Sequence, residues 1–209
     1  WLATQGYVGV RVEYRVRNAP DAFLACHADA ARALRLVRHH AARWGVDPTR
    51  VGVLGYSAGG HLASLLSTQP EVSKDPADDL AGRVSARPDL VALAYPVISF
   101  VEGYAPGAYA RSADNFFGRS DPPEELRRRF SNELHVKPGH PPVFVWTMRD
   151  DHLVSYTHSV RFAEACEAAG VPVTFKLFAH GQHGMGLALA DRSESGVWTK
   201  FLLEWLDAH

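Results

Sequence analysis

Apolar and polar positions follow two rhythms along this chain. Residues 7–14 (YVGVRVEY) put apolar and β-branched side chains at alternate positions, which predicts a strand. Pro20 and Asp21 then open a stretch in which Leu24, Ala28, Ala31, Leu34, Val37, Ala41 and Trp44 recur at helical spacing. Asp29, Arg32, Arg35 and Arg38 fall largely on its other side. Gly45 predicts the helix stop and Asp47-Pro48 a turn. Residues 50–54 have the profile of a buried parallel strand, and small and apolar residues carry a helix over 58–68. The polar, Pro-containing stretch 75–88 reads as loop. Further strands are predicted over 90–98, 142–148 and 171–178, with helices over 160–169 and 194–206. This alternation predicts an α/β fold, a mostly parallel sheet with helices on both faces.

One connection breaks the rhythm. About 40 residues separate the third and fourth predicted strands, which is long for a simple link. The segment holds Phe100, Tyr104, Tyr109, Phe116 and Phe117. It also predicts a capped helix, with Asp121 as N-cap, Pro122 in the first turn, and Glu124 and Glu125 near the positive end. The expectation is a single domain over 1–209 with a cap-like excursion at 99–140, which either covers a site or decorates the fold.

Composition narrows the function classes. The 209 residues are 46% hydrophobic, enough for one sizeable core. Net charge is −1, from 22 basic and 23 acidic residues, so a nucleic-acid partner is not expected. Arg127, Arg128 and Arg129, the longest basic run, read as a solvated helix face. Cys26 and Cys166 read as buried thiols rather than a disulfide, which is compatible with a reducing, cytoplasmic setting. No apolar run approaches the ~20 residues of a membrane span, and no signal peptide is visible. The chain opens on Trp1 rather than Met, so that last absence carries little weight.

The most informative stretch is Gly55-Tyr56-Ser57-Ala58-Gly59-Gly60. It matches G-x-S-x-G between a predicted strand and a predicted helix, where a strained turn lifts the serine above the sheet. Ser57 is the expected nucleophile, and the flanking glycines are expected to remove clashing Cβ atoms. The first N–H groups of the helix, Ala58 foremost, face a developing oxyanion. Tyr56 and Gly59 are expected to line the substrate.

Serine needs a positioned base, and in such a fold the order along the chain is Ser, then Asp or Glu, then His. Arg149-Asp150-Asp151-His152-Leu153-Val154 follows the fourth strand. Asp151, three residues before Val154, is the preferred acid. Asp150 is the alternative, and the pair would otherwise cap the next helix. His180-Gly181-Gln182-His183-Gly184 follows the fifth strand. His183, deeper in the loop and flanked by Gly184, is preferred to His180. In these roles His183 relays the Ser57 proton while Asp151 holds the imidazole tautomer. His180 and His183 with Asp150, Asp151 and His152 offer N and O ligands to a metal, but no HExxH helix accompanies them. No metal and no cofactor is expected.

The run 44–63, from Trp44-Gly45-Val46-Asp47-Pro48 through the serine motif to His61-Leu62-Ala63, resembles the esterase/lipase branch of the α/β-hydrolases. More specifically, the chain resembles bacterial acetyl-xylan-esterase-like and carbohydrate acetyl-esterase-like proteins. That likeness lies in Ala86-Arg87-Pro88-Asp89-Leu90, Tyr95-Pro96-Val97-Ile98-Ser99, Ser131-Asn132-Glu133-Leu134, Pro141-Pro142-Val143-Phe144-Val145-Trp146 and Gly184-Met185-Gly186-Leu187-Ala188. The resemblance implies a serine carboxylesterase that removes a short acyl group, most often acetyl, from a small-molecule ester whose alcohol can be a sugar. It carries Ser57, Asp151 and His183 over as the triad. Thr147 and Ser155 depart from it, standing where similar proteins often have His and Pro.

The larger departure is upstream. Similar proteins carry an extra strand and a Gly-rich loop that donates a second oxyanion N–H. This chain starts at Trp1-Leu2-Ala3, inside the helix that follows that loop. The extra strand would lie between the strands expected at 7–14 and 50–54, and an unpaired interior edge is costly. Three outcomes satisfy this: an N-terminally truncated sequence, a sheet that closes differently, or a second copy filling the gap in a homo-oligomer. Loss of one oxyanion donor would cost about 10²–10³ in rate. Two other readings stand beside the esterase. One is a catalytically silent hydrolase-fold binding module. The other is a prolyl-oligopeptidase-like serine peptidase, for which no propeller domain is visible.

Overall fold

The computed structural model describes residues 1–16, 22–72, 81–101, 109–118, 121–189 and 193–209. Four strands form its sheet: β1 (Gly52–Tyr56), β2 (Leu90–Ala94), β3 (Val143–Met148) and β4 (Val173–Phe178), all parallel and paired in that order. The helices are α1 (Ala22–His39), α2 (Ala41–Trp44), α3 (Ala58–Thr68), α4 (Tyr109–Phe117), α5 (Glu124–Arg129), α6 (Thr157–Ala168) and α7 (Trp198–Ala208).

The sheet alternates its side chains between two layers, as a pleated backbone requires. Val91, Leu93, Val143 and Val145 pack with Ala63 of α3 and with Phe162 and Cys166 of α6. Ala92, Ala94, Phe144 and Trp146 pack on the other face with Trp198, Leu202 and Trp205 of α7. Both faces are therefore covered, which is why β2 and β3 read as unbroken apolar runs. Outside α3, the α1 residues Ala31 and Leu34 meet Leu62 and Leu66. Among the described residues no helix is long and apolar enough to cross a membrane.

Several expected elements shift. The strand expected at 50–54 runs instead over Gly52–Tyr56, ends against Ser57, and lies at the edge of the described sheet with only Gly55 buried. The strand expected at 90–98 stops at Ala94, because Tyr95 takes φ 38° and Pro96 has no N–H for the ladder. The long helix breaks at His40, whose φ and ψ of −97° and 9° leave the helical region, and α2 then ends on a left-handed Gly45. The final helix begins as a 3₁₀ turn at Glu194–Val197.

Asp121 is not the N-cap expected of it. That place falls to Pro123, and Asp121 sits two residues earlier at φ 56°. Two consecutive prolines hold the chain extended until Glu124, so the helix starts later than the Asp-Pro pattern suggests. Glu124 and Glu125 do occupy the first turn.

Residues 7–14, expected as a strand, form none. Alternation marks a segment that fits a pleated surface, but a strand also needs a hydrogen-bonded neighbour. No described strand lies beside this segment, and Val8, Val10 and Val12 stand in solvent. It is latched at two points instead. The Tyr7 hydroxyl donates to Asp207 at 2.9 Å, and Arg15 grips Asp29 of α1 through its Nε, Nη2 and backbone N–H. An open cleft of about 740 Å³ separates it from Leu36, Val37 and Trp44.

The excursion after β2 is anchored by its aromatic side chains. Phe100, Phe117 and Phe130 are buried in one cluster with Leu65 of α3, Val97 and Val154. Tyr104 and the side chain of Tyr109 lie outside the described residues.

Candidate active site

The carboxyl ends of the four strands converge. Ser57 follows β1, Tyr95 follows β2, Asp151 lies three residues after β3, and His183 lies in the loop after β4. In open parallel sheets this end is where ligands bind.

Ser57 sits at φ 52° and ψ −118°, a strained conformation for a residue with a Cβ. The surrounding backbone holds it there. Its N–H donates to Ala94 O at 3.0 Å, and its carbonyl accepts from the N–H groups of Val97 and Gly60, each at 3.0 Å. Two glycines make the turn sterically feasible. A Cβ on Gly55 would lie 2.3 Å from Gly59 O, and one on Gly60 would lie 2.5 Å from Pro96 Cβ. Gly59 differs: its nearest neighbour would be the Tyr14 hydroxyl at 3.8 Å. Only the first glycine of the G-x-S-x-G motif, and the glycine following it, are therefore needed for space.

The Ser57 side chain makes no cap bond to α3. Its Oγ lies 2.8 Å from His183 Nε2. His183 Nδ1 in turn lies 2.7 Å from Asp151 Oδ2. The Asp151 carboxylate is fully buried and the imidazole is 12% exposed. The other Asp151 oxygen accepts the N–H groups of Leu153 at 2.8 Å and Val154 at 2.9 Å. This local turn is the physical content of the Asp-x-x-Val spacing. With Nδ1–H donating to Asp151, Nε2 is left to accept the Ser57 proton. Ala58 and Gly59 are the first two residues of α3, at the positive end of its dipole.

Asp150 and His180 form a separate pair. His180 Nδ1 is 3.0 Å from Asp150 Oδ2, and the Gly181 N–H donates to Asp150 Oδ1 at 3.1 Å. The bond from His180 holds the Asp150 carboxyl below its usual range. The His180 side chain is 80% exposed. The pair ties the acid loop to the base loop. Four of the five candidate metal ligands are thus divided between two pairs, and no group of three His, Cys, Asp or Glu that could hold a metal ion stands among the described residues.

Tyr56 is half-buried, with its ring 6.0 Å from both Tyr95 and Trp198. It packs against the buried cluster of Tyr95, Trp146 and Trp198. Three residues outside the expected site also touch the histidine loop. The Tyr95 ring lies 4.8 Å from His183 and its hydroxyl accepts the Gly186 N–H at 3.2 Å. Trp198 Nε1 donates to Gly186 O at 3.1 Å, and Glu194 accepts the Ala179 N–H at 3.1 Å. The proline after Tyr95 is its one local signal, since the apolar pattern itself runs on to Ile98. Trp198 and Glu194 gave none beyond their helix.

The relay polarises one hydroxyl beside helix N–H groups, the equipment for attack on an ester or amide carbonyl. Known proteins resemble this chain in sequence and in fold. A family model described as BD-FAE matches residues 1–166. Endo-1,4-beta-xylanase B of Butyrivibrio fibrisolvens is 34% identical over 162 residues, 77% of this chain and 24% of that protein. The acetylxylan esterase of Xylanibacter ruminicola is 30% identical over 207 residues, 96% of this chain and 37% of that protein. A solved structure, the acetyl ester-xyloside bifunctional hydrolase from Caldicellulosiruptor lactoaceticus, is 40% identical with a TM-score of 0.79, covering 88% of this chain and 65% of that one. This chain spans less than two thirds of the length of each. The family match takes in both the serine turn and the acid loop, and on it the chain, an α/β-hydrolase by fold, belongs to the BD-FAE family.

Proposed function

We propose that this chain is a serine carboxylesterase that removes short acyl groups, acetyl foremost, from carbohydrate alcohols. The observation that carries the reading is the unbroken relay from Ser57 Oγ through His183 to Asp151, at 2.8 Å and 2.7 Å. In it, Ser57 Oγ attacks the ester carbonyl while His183 Nε2 takes its proton. The tetrahedral oxyanion gathers at the Ala58 N–H. Collapse expels the alcohol, which receives the proton from His183 and leaves an acyl group on Ser57. Water, deprotonated by the same imidazole, then attacks the acyl carbonyl; the bond to Ser57 Oγ breaks, Oγ takes the proton back from His183, and the carboxylic acid leaves. Asp151 steadies the imidazolium in both halves. The acetyl and sugar assignments draw on the relatives named as acetylxylan esterase and acetyl ester-xyloside hydrolase.

The test is hydrolysis of p-nitrophenyl acetate and release of acetate from acetylated xylo-oligosaccharides, by this chain and by Ser57→Ala. Turnover lost in the variant supports the reading. Organophosphate labelling of Ser57 without turnover of either ester would point to an incomplete catalyst. No labelling and no turnover would point to the silent binding module. Preference for an amide over the matched ester would favour a peptidase.

A further inference from the structure

We propose that Tyr95 is a positioning residue for His183. The inference rests on the esterase reading for its kinetic consequence, but not for its structural one. Tyr95 is buried at the end of β2 and holds φ 38°, a left-handed backbone that a bulky residue occupies only when its surroundings fix it. Its N–H donates to Trp146 O at 2.7 Å. Its ring is wedged between Trp146, at 5.1 Å and nearly perpendicular, and Tyr56 at 6.0 Å. The free side of the wedge meets His183 at 4.8 Å, and the hydroxyl holds the Gly186 N–H three residues further along.

Tyr95 therefore touches the base twice, through its ring and through its loop. The same turn also touches the nucleophile. Ala94 accepts the Ser57 N–H, and Val97 donates to the Ser57 carbonyl. The histidine loop is otherwise held at Gly186 by Trp198 and at its stem by Asp150 and Glu194. Of these named contacts, the one that Tyr95 makes falls on the imidazole ring itself, beside the bonds to Ser57 and Asp151. The ring then fixes the plane in which Nε2 meets Oγ and Nδ1 meets the carboxylate. Near-attack geometry tolerates little error, and a misplacement of about 1 Å costs on the order of 10² in rate.

The experiment compares wild type, Tyr95→Phe and Tyr95→Leu by steady-state kinetics and by proton NMR of the His183 Nδ1–H. Tyr95→Phe keeps the ring. It should retain the downfield Nδ1–H signal and lose roughly threefold in kcat, with roughly tenfold faster exchange of the Gly186 amide. Tyr95→Leu keeps much of the bulk without the ring. It should broaden or lose the signal and lower kcat by about 10–100-fold, with KM within about twofold. A folded Tyr95→Leu with a sharp signal and wild-type kcat overturns the proposal, as does a rise in KM alone. Should Tyr95→Leu not fold, unchanged Gly186 exchange in Tyr95→Phe overturns it. Lack of turnover in wild type would fault the esterase reading, and the NMR comparison would still decide this one.

Discussion

Asp151 divides its two carboxylate oxygens between two tasks: Oδ2 lies 2.7 Å from His183 Nδ1, while Oδ1 accepts the N–H groups of Leu153 and Val154. The local turn thereby orients the carboxylate that meets the His183 ring. Asp150, its neighbour, bonds His180 and Gly181 instead.

Adjacent carboxylates with separate duties should respond differently to the same change. Asp151→Asn should lower kcat by about 10⁴, because the amide presents a donor where the imidazole needs an acceptor. Asp150→Asn should cost less than about tenfold, through a loosened loop. Parallel kcat measurements on the two variants check this, and the reverse ranking would reassign the acid.

The glycines of the serine turn should also separate. Ala at 55 or 60 meets atoms at 2.3 Å or 2.5 Å, among them Gly59 O and Pro96 Cβ, so the strand-to-helix packing must shift. Gly55→Ala and Gly60→Ala should each destabilise by about 1–3 kcal/mol or more, lowering the thermal midpoint by roughly 2–4 °C per kcal/mol. Gly59→Ala meets only the Tyr14 hydroxyl at 3.8 Å and should hold its midpoint within about 2 °C. Melting curves of the three variants side by side give the answer. An equal loss at all three positions would refute the spatial argument.

What the sequence makes legible follows the range of the interactions. The serine turn is local, since the glycines that permit it lie within three residues of Ser57. The acid is legible for the same reason, as its orienting bonds reach only to Leu153 and Val154. Parallel strands buried on both faces announce themselves as apolar runs, as β2 and β3 do. Long-range dependence defeats pattern reading. The Tyr95–Gly186 bond spans 91 residues, and nothing near Tyr95 forecasts it. Residues 7–14 fail for a related reason: alternation reports a side-chain pattern and says nothing of whether a neighbour supplies hydrogen bonds. The Asp121 cap fails because two prolines compete for one helix start.

Neither thiol should take part in turnover. Cys26 and Cys166 are not joined by a disulfide, and Cys166 is fully buried between β2, β3 and α6. Burial pushes the Cys26 thiol up to about 11 and the Cys166 thiol up to about 12, so neither is a nucleophilic thiolate at neutral pH. Cys26→Ser and Cys166→Ser should leave kcat within about twofold, while Cys166→Ser should cost about 1–3 kcal/mol for a hydroxyl buried among apolar side chains. Loss of turnover in a folded variant, read by kinetics with circular dichroism alongside, would contradict the serine mechanism.

Four histidines away from the relay should make the fold acid-sensitive. His27, His61, His140 and His158 are buried, and burial pushes each down to about 4 from the ordinary 6.5. Between these values the unfolded chain binds protons that the folded chain refuses. Stability is therefore full above about pH 6.5 and is lost as pH falls toward 4. Each histidine adds up to about 1.4 kcal/mol per pH unit to the slope inside that window. Urea unfolding at pH 7.5, 6 and 5 should show a steadily falling free energy. His61→Phe should flatten the slope because it removes one titrating group, and its neighbours Phe100 and Phe116 are already aromatic. The Phe130 carbonyl then loses its bond to the His61 ring, which lowers the whole curve without tilting it. A stability that stays level from pH 7.5 to 5 would mean that these histidines take up protons in the folded state as readily as in the unfolded chain.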